Sequence, residues 1–187
     1  ESVDALAMVE EHLRRPDPIM RILNRWVPEH GRVLEVGCGP TTYGAALRTE
    51  RRHVVGVDLT PEALAVASGR FPDVGFVRGD IRAMPFADAS FDCVFSNGVV
   101  EHLETGPVPS LVEHARVLAP DGVALISVPW ISIAKWAKDR WNLTVGRKSS
   151  YRARGRLVTS VPGVGLHAGP GSFHQYEFTA SVWHGFL

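Results

Sequence analysis

A chain of 187 residues, 45% hydrophobic and 21% charged, is long enough for one domain with a substantial core. Its 20 basic and 20 acidic side chains cancel, so no net charge draws it to nucleic acid or to an anionic membrane surface. Two cysteines make no disulfide framework, no apolar run has membrane-spanning length, and the acidic start lacks the parts of a signal peptide, so the expected setting is reducing and cytoplasmic.

Val3–Arg14 places Val3, Leu6, Ala7, Val9 and Leu13 near helical spacing and stops before Pro16. Asp17-Pro18 opens a second helix, with Ile19, Ile22, Leu23 and Trp26 expected on one face and Pro28 with Gly31 ending it. This pair either packs on the edge of a sheet or sends its first helix over a ligand as a lid. The stretch that organises the chain is Arg32–Gly44, RVLEVGCGPTTYG. Val33, Leu34 and Val36 suit a buried parallel strand. Gly37, Gly39 and Pro40 break the run, and Tyr43–Arg48 is helix-compatible. Strand, glycine turn and helix in that order suit a phosphorylated or adenosyl ligand, which glycine lets the backbone approach and a helix amino end can bond.

His53–Asp58 reads as a second strand, ending in a carboxylate, and Thr60 is placed to cap a helix from Pro61 to Arg70. Val74–Val77 is a third strand, followed by Gly79-Asp80, and Phe91–Ser96 a fourth. Pro107–Leu118 is amphipathic, with Leu111, Val112, Ala115 and Leu118 expected inward. Asp121-Gly122 is expected to turn the chain into a fifth strand, Val123–Val128. Strands alternating with helices predict an α/β fold, a doubly wound and mostly parallel sheet. Its ligand belongs beyond the carboxyl ends of the strands, at the switch point beside the first.

From Trp130 the regularity fails. Trp130, Ile133, Ala134, Ala137 and Trp141 recur at helical spacing before a basic run through Arg156. Three readings stand: a core helix, a lid lining an apolar acceptor pocket, or an interfacial helix drawn to anionic lipid. Tyr176–Leu187 reads as the start of a further helix. The expected organisation is one domain, with N-terminal helices at 1–30, a ligand-binding core at 31–129, an acceptor-side insertion at 130–175 and the last helix at 176–187.

Three carboxylates fall within or after successive strands: Glu35, Asp58 and Asp80. Asp58 lies 19 positions beyond Gly39, a spacing at which an acidic residue accepts from ribose hydroxyls. No lysine follows the glycines as in a P-loop, and Thr42 stands where a dinucleotide site has its third glycine. Asp80 is placed to accept from an adenine amine while Ile81 covers the ring.

VLEVGCGPTTYG, VVGVDLTPEALAVA, GDIRAMPFADASFDCVFSNGVVEHL and RVLAPDGVALISVP resemble the successive motifs of class I S-adenosylmethionine-dependent methyltransferases, in particular those typified by quinone-biosynthesis enzymes. The resemblance implies S-adenosylmethionine as cofactor and S-adenosylhomocysteine as product. It implies Glu35 near the cofactor's amino group, Gly37 and Gly39 along its methionine portion, and Asp58 on the ribose with Leu59 beside it. It further implies Asp80 and Ile81 at the adenine and Asn97 and Gly98 near the sulfonium; Cys38 and Pro40 take no role. The family also leads one to expect two more strands after the last helix. Without them the sheet edge would be open to self-association.

Glu101-His102 admits two readings: His102 is a general base for a hydroxyl substrate, or the pair merely starts a helix under the site. No HxH, HExxH or Cys–His spacing points to a metal. The function expected is methyl transfer to a small-molecule acceptor, at oxygen or carbon, without nucleic-acid partner or stable membrane insertion. The alternatives are a noncatalytic binder of the cofactor or its product, and a dinucleotide-dependent oxidoreductase.

Overall fold

Val33, Leu34 and Val36 of β1 (Gly31–Val36) are each 0% exposed, so this strand has no polar face and must be covered on both sides. The computed structural model describes residues 5–128, 157–158, 164–169 and 172–177. They fall into two units, one of residues 1–97 and 109–126, the other of 98–108 and 127–187.

In the first unit, α1 (Ala5–Arg14) and α2 (Pro18–Trp26) precede β1, and α3 (Tyr43–Leu47) follows it. Then come β2 (Arg52–Asp58), α4 (Pro61–Arg70), β3 (Gly75–Arg78), β4 (Phe91–Asn97), α5 (Val108–Val117) and β5 (Leu118–Ser127), the last two reaching one residue into the second unit. The sheet order is β3-β2-β1-β4-β5, with β1 parallel to both β2 and β4 and β2 parallel to β3. The winding direction reverses at β1, which puts the switch point between β1 and β4. Met20, Leu23 and Val27 pack with Val33, Val54, Cys93 and Phe95 of the sheet and with Leu47 and Phe71 in one core. Each large side chain so buried contributes about 1.5–3 kcal/mol.

Several expectations are corrected. The inward stripe of α2 is Met20 and Leu23, whereas Ile22 and Trp26 are 47% and 54% exposed. Trp26 instead lies under the Arg25 guanidinium, 5.3 Å from its ring centre. In α5 the buried face is Ser110, His114 and Val117, and Val112 is 61% exposed. The i, i+4, i+7 register selects these residues over larger apolar neighbours. Asp121 and Gly122 lie inside β5, which begins at Leu118; among the described residues β5 is the outermost strand of its sheet, a place that tolerates Pro120. Thr60 makes no side-chain cap at α4.

The second unit holds a 3-10 turn at Val100–His102 and a three-stranded antiparallel sheet of β6 (Leu157–Val158), β7 (Val164–Gly169) and β8 (Ser172–Glu177), in that order. Val164–Gly169 is a strand, and Tyr176 and Glu177 close β8 rather than opening a helix. The proposed aromatic helix at 130–156 and the helix at 178–187 lie outside the described residues.

Candidate functional site

The loop after β1 is shaped by positive φ at Gly37 (69°) and Gly39 (50°), a region L side chains avoid. Gly37 N and Cys38 N both donate to Val57 O, at 2.8 and 3.1 Å, tying the loop to β2. It borders a cleft of about 170 Å³ lined by Glu35, Val36, Gly37, Cys38, Pro40, Thr41, Thr42, Tyr43 and Asn97. Asn97 ends β4, so the cleft opens at the switch point.

Asp58 ends β2 and is clamped from two sides. Gly39 N donates to its Oδ2 and Thr60 N to its Oδ1, each at 2.8 Å. A carboxylate has about four lone-pair positions, so both oxygens retain capacity for a ligand. A side chain at Gly39 would meet nothing within 4 Å, so the loop is open on that side.

Glu35 is 6% exposed. Its Oε2 accepts from Thr41 Oγ1, and the Gly44 backbone N–H adds a second donor. Burial nonetheless, aided by the Asp58 charge, pushes the carboxyl up to about 7. The Gly44 N–H, in the first turn of α3, therefore serves a protein carboxylate, where the sequence pointed to the ligand. Thr41 holds this contact from a left-handed backbone, φ 34°, unusual for a β-branched residue.

Asp80 is gripped by Arg82. Nε lies 3.0 and 3.1 Å from its two oxygens, Nη2 lies 2.6 Å from Oδ2, and Arg82 N donates to Oδ1 at 2.9 Å. These bonds hold the Asp80 carboxyl below its usual range. Ile81 beside it is 9% exposed, while Leu59, after Asp58, is 58% exposed. The chain beyond Asp80 is fixed by Arg116, which donates to Met84 O, Phe86 O, Asp88 and Glu113 at 2.7–2.9 Å.

Glu35, Gly37 and Asn97 thus meet in the cleft, with Gly39 and Asp58 bonded at its edge. Asp80 follows β3, whose Arg78 pairs with Asp58. Gly98 and His102 belong to the second unit. There Gly98 has φ 70° and donates to Ser127 O at 3.0 Å. His102 is half-exposed, its Nε2 4.0 Å from Oε1 of Glu101. Glu101 is itself buried, with Oε2 lacking a hydrogen-bond partner, and burial pushes its carboxyl up. Among the described residues no cluster of His, Cys, Asp or Glu suits a metal ion.

Sequence reasoning missed Thr41, Tyr43 and Arg82. A hydroxyl residue in the glycine turn after a buried glutamate was the available signal for Thr41. Arg82, two residues from Asp80, was visible as a charge but not as a partner.

S-adenosylmethionine is elongated and carries positive charge at sulfur and ammonium. Carboxylates at the ends of three neighbouring strands suit such a ligand, as does the open side of Gly39. The cleft is smaller than the roughly 300–1,000 Å³ of a whole small-ligand pocket. It therefore suits one end of the molecule, with Asp58 and Asp80 along the rim for the remainder. The residues present fit the group.

Residues 34–126 match the family model described as a methyltransferase domain. The malonyl-[acyl-carrier protein] O-methyltransferase of Erwinia billingiae is 38% identical over 96 residues, 51% of this chain and 38% of that protein. The demethylmenaquinone methyltransferase of Chlorobaculum parvum is 36% identical over 101 residues, 54% of this chain and 42% of that protein. The matches cover about two fifths of the length of these curated relatives. Among solved structures, a TehB-like S-adenosylmethionine-dependent methyltransferase from Corynebacterium glutamicum has 28% identity and a TM-score of 0.54, over 65% of this chain and 68% of its own. With the glycine loop, the strand-end carboxylates and the 3-2-1-4-5 sheet, these matches show that the chain belongs to the class I S-adenosylmethionine-dependent methyltransferases.

Proposed function

We propose that the chain binds S-adenosylmethionine along the rim from Glu35 to Asp80 and transfers its methyl group to a small-molecule acceptor, at oxygen or carbon, leaving S-adenosylhomocysteine. The observation that carries this reading is Asp58, clamped by Gly39 N and Thr60 N at the end of β2 with acceptor capacity to spare. Bound there, the cofactor supplies a methyl group already made electrophilic by its sulfonium. The protein's part is alignment and exclusion of water. In this assignment Glu35 and Gly37 face the methionine end, Asn97 and Gly98 the sulfonium, Asp58 and Leu59 the ribose, and Asp80 with Ile81 the adenine. His102 would take a proton only from an acceptor that is protonated at working pH, such as an alcohol. The relatives' names give malonyl-[acyl-carrier protein], methylated at oxygen, and demethylmenaquinone as the acceptors of those proteins. Net charge near zero argues against nucleic acid as acceptor. Self-association through the outer strand of the sheet, β5, belongs to the same proposal, and sedimentation at rising concentration would show it.

Calorimetry with S-adenosylhomocysteine tests the cofactor half. Asp58→Asn keeps one oxygen for the loop but loses the charge that would strengthen hydrogen bonds from a ribose. We expect a folded variant that binds about 10- to 100-fold more weakly. Unchanged affinity would remove Asp58 from the site. Labelled cofactor with a panel of quinols, phenols and carboxylic acids reads the acceptor half; His102→Ala should then lower turnover while leaving cofactor affinity intact.

A further inference from the structure

Tyr43 connects two parts of the first unit that the cofactor assignment does not link. It lines the cleft at the entry to α3. Its hydroxyl donates to Asp17 Oδ2 at 2.7 Å. Asp17 is the N-cap of α2, where its other oxygen accepts from Met20 N at 2.7 Å. From α1, the ring of His12 stacks on Tyr43 with centroids 4.6 Å apart and planes 20° from parallel. His12 is only 8% exposed, and its Nε2 has no hydrogen-bond partner. One tyrosine therefore joins the cap of α2, the last turn of α1 and the wall of the ligand cleft.

We propose that Tyr43 is a positioning residue: its bond to Asp17 and its stack on His12 make the docking of the two N-terminal helices and the shape of the 37–43 loop a single equilibrium. The phenol is a dependable strut. Burial, reinforced by the Asp17 carboxylate, pushes the pKa of its phenol up to about 12, so it remains a neutral donor across the physiological range. The Asp17 carboxyl, although burial opposes it, is held below its usual range by Met20 N–H and the Tyr43 hydroxyl, so the acceptor stays charged. A buried imidazole edge with no partner is costly. It is tolerated because the ring's face is used as packing against Tyr43. Two elements joined through one such pair are linked reciprocally: a ligand that orders the loop protects α1 and α2, and loosening the helices weakens the ligand. A ligand effect of this kind rests on the cofactor reading above; the coupling of loop to helices does not.

Tyr43→Phe removes the hydroxyl and keeps the stack, and Asp17→Asn keeps the helix cap through its remaining oxygen. Hydrogen exchange on the ligand-free chain is the first readout. Tyr43→Phe should speed exchange both in the 37–43 loop and in α1–α2, and the double variant should add little to either single one. Exchange that changes in the loop alone, or effects that simply add, would overturn the coupling. The second readout is calorimetry with S-adenosylhomocysteine, for which we expect about tenfold weaker binding by Tyr43→Phe. Phe71→Leu, which loosens the same core elsewhere, should lower the melting temperature without that loss. If both variants lost affinity equally, Tyr43 would be a structural residue only. If the unaltered chain failed to bind S-adenosylhomocysteine, the cofactor reading would fall, and the ligand-free exchange would still decide the role of Tyr43.

Discussion

At the scale of single residues, Glu35 sets the sharpest expectation. Its carboxyl titrates near 4.5 in an unfolded chain and at about 7 in the fold, chiefly because it is buried. Between those values the native state holds a proton that the unfolded state has shed. Stability therefore falls as pH rises, by about 1.4 kcal/mol per unit, and levels off above the folded value. The whole step is of the order of 3 kcal/mol. Glu35→Gln should abolish it: denaturant midpoints at pH 5 and pH 8 should converge in the variant and diverge in the unaltered chain. Affinity for S-adenosylhomocysteine should run the other way, improving through the same window as the carboxylate forms to meet the ligand's ammonium. A pH profile identical in both chains would show that Glu35 does not titrate there. The positions of Glu35 and Asp58 were legible because each lies within or at the end of an apolar run that suits a buried strand, and Asp80 because it follows the shorter, partly exposed β3. Their partners were not. Thr41 reaches Glu35 from a φ of 34°, and Arg82 folds back on Asp80 across two residues. Loop dihedrals of that kind leave no period in a sequence.

At the scale of elements, the same substitution should have opposite signs in two helices. Glycine to alanine ordinarily gains up to about 1 kcal/mol inside a helix. In α4, a Cβ at Gly69 would meet nothing within 4 Å, so Gly69→Ala should stabilise by up to that amount. In α3, a Cβ at Gly44 would strike the Glu35 carboxylate, come within 2.8 Å of Thr41 Oγ1 and press on Val54. All three are buried, and Glu35 and Thr41 are hydrogen-bonded to each other, so they cannot yield cheaply. Overpacking of about 1–3 kcal/mol outweighs the helical gain, and Gly44→Ala should destabilise and weaken cofactor binding together. Chemical denaturation of the two variants checks both signs, and a stabilised Gly44→Ala would mean that α3 is free to shift. The strands and most helices could be read from composition, but their orientation was less secure. For α2 and α5 the largest apolar residues suggested one face, whereas the helices bury the register of Met20–Leu23 and Ser110–His114–Val117. Where helix and sheet must interlock, a small or polar residue at the right angle displaces a large one at the wrong angle.

At the scale of the whole molecule, strand order is what assembles the site, and order is not written in any local pattern. β1 lies between β2 and β4 only because the crossovers wind outward in both directions from it. That brings residues 35, 58 and 97 to one rim although up to 62 positions separate them in the chain (97 minus 35). The rim exists only when the sheet is formed, so any ligand that bridges it must stabilise the folded state against the unfolded one. At a free concentration one hundred times its dissociation constant, such a ligand adds about 2.7 kcal/mol. For a chain of this size, each kcal/mol moves the midpoint by about 2–4 °C. S-adenosylhomocysteine should therefore raise the melting temperature by roughly 5–11 °C. NAD also carries an adenosine that Asp58 and Asp80 could hold, but its pyrophosphate would be anionic against the Glu35 and Asp58 carboxylates. It should give no comparable shift at equal concentration. A larger shift with NAD would reassign the cleft to a dinucleotide. A shift with S-adenosylhomocysteine that persisted undiminished in Asp58→Asn would place the ligand away from the end of β2.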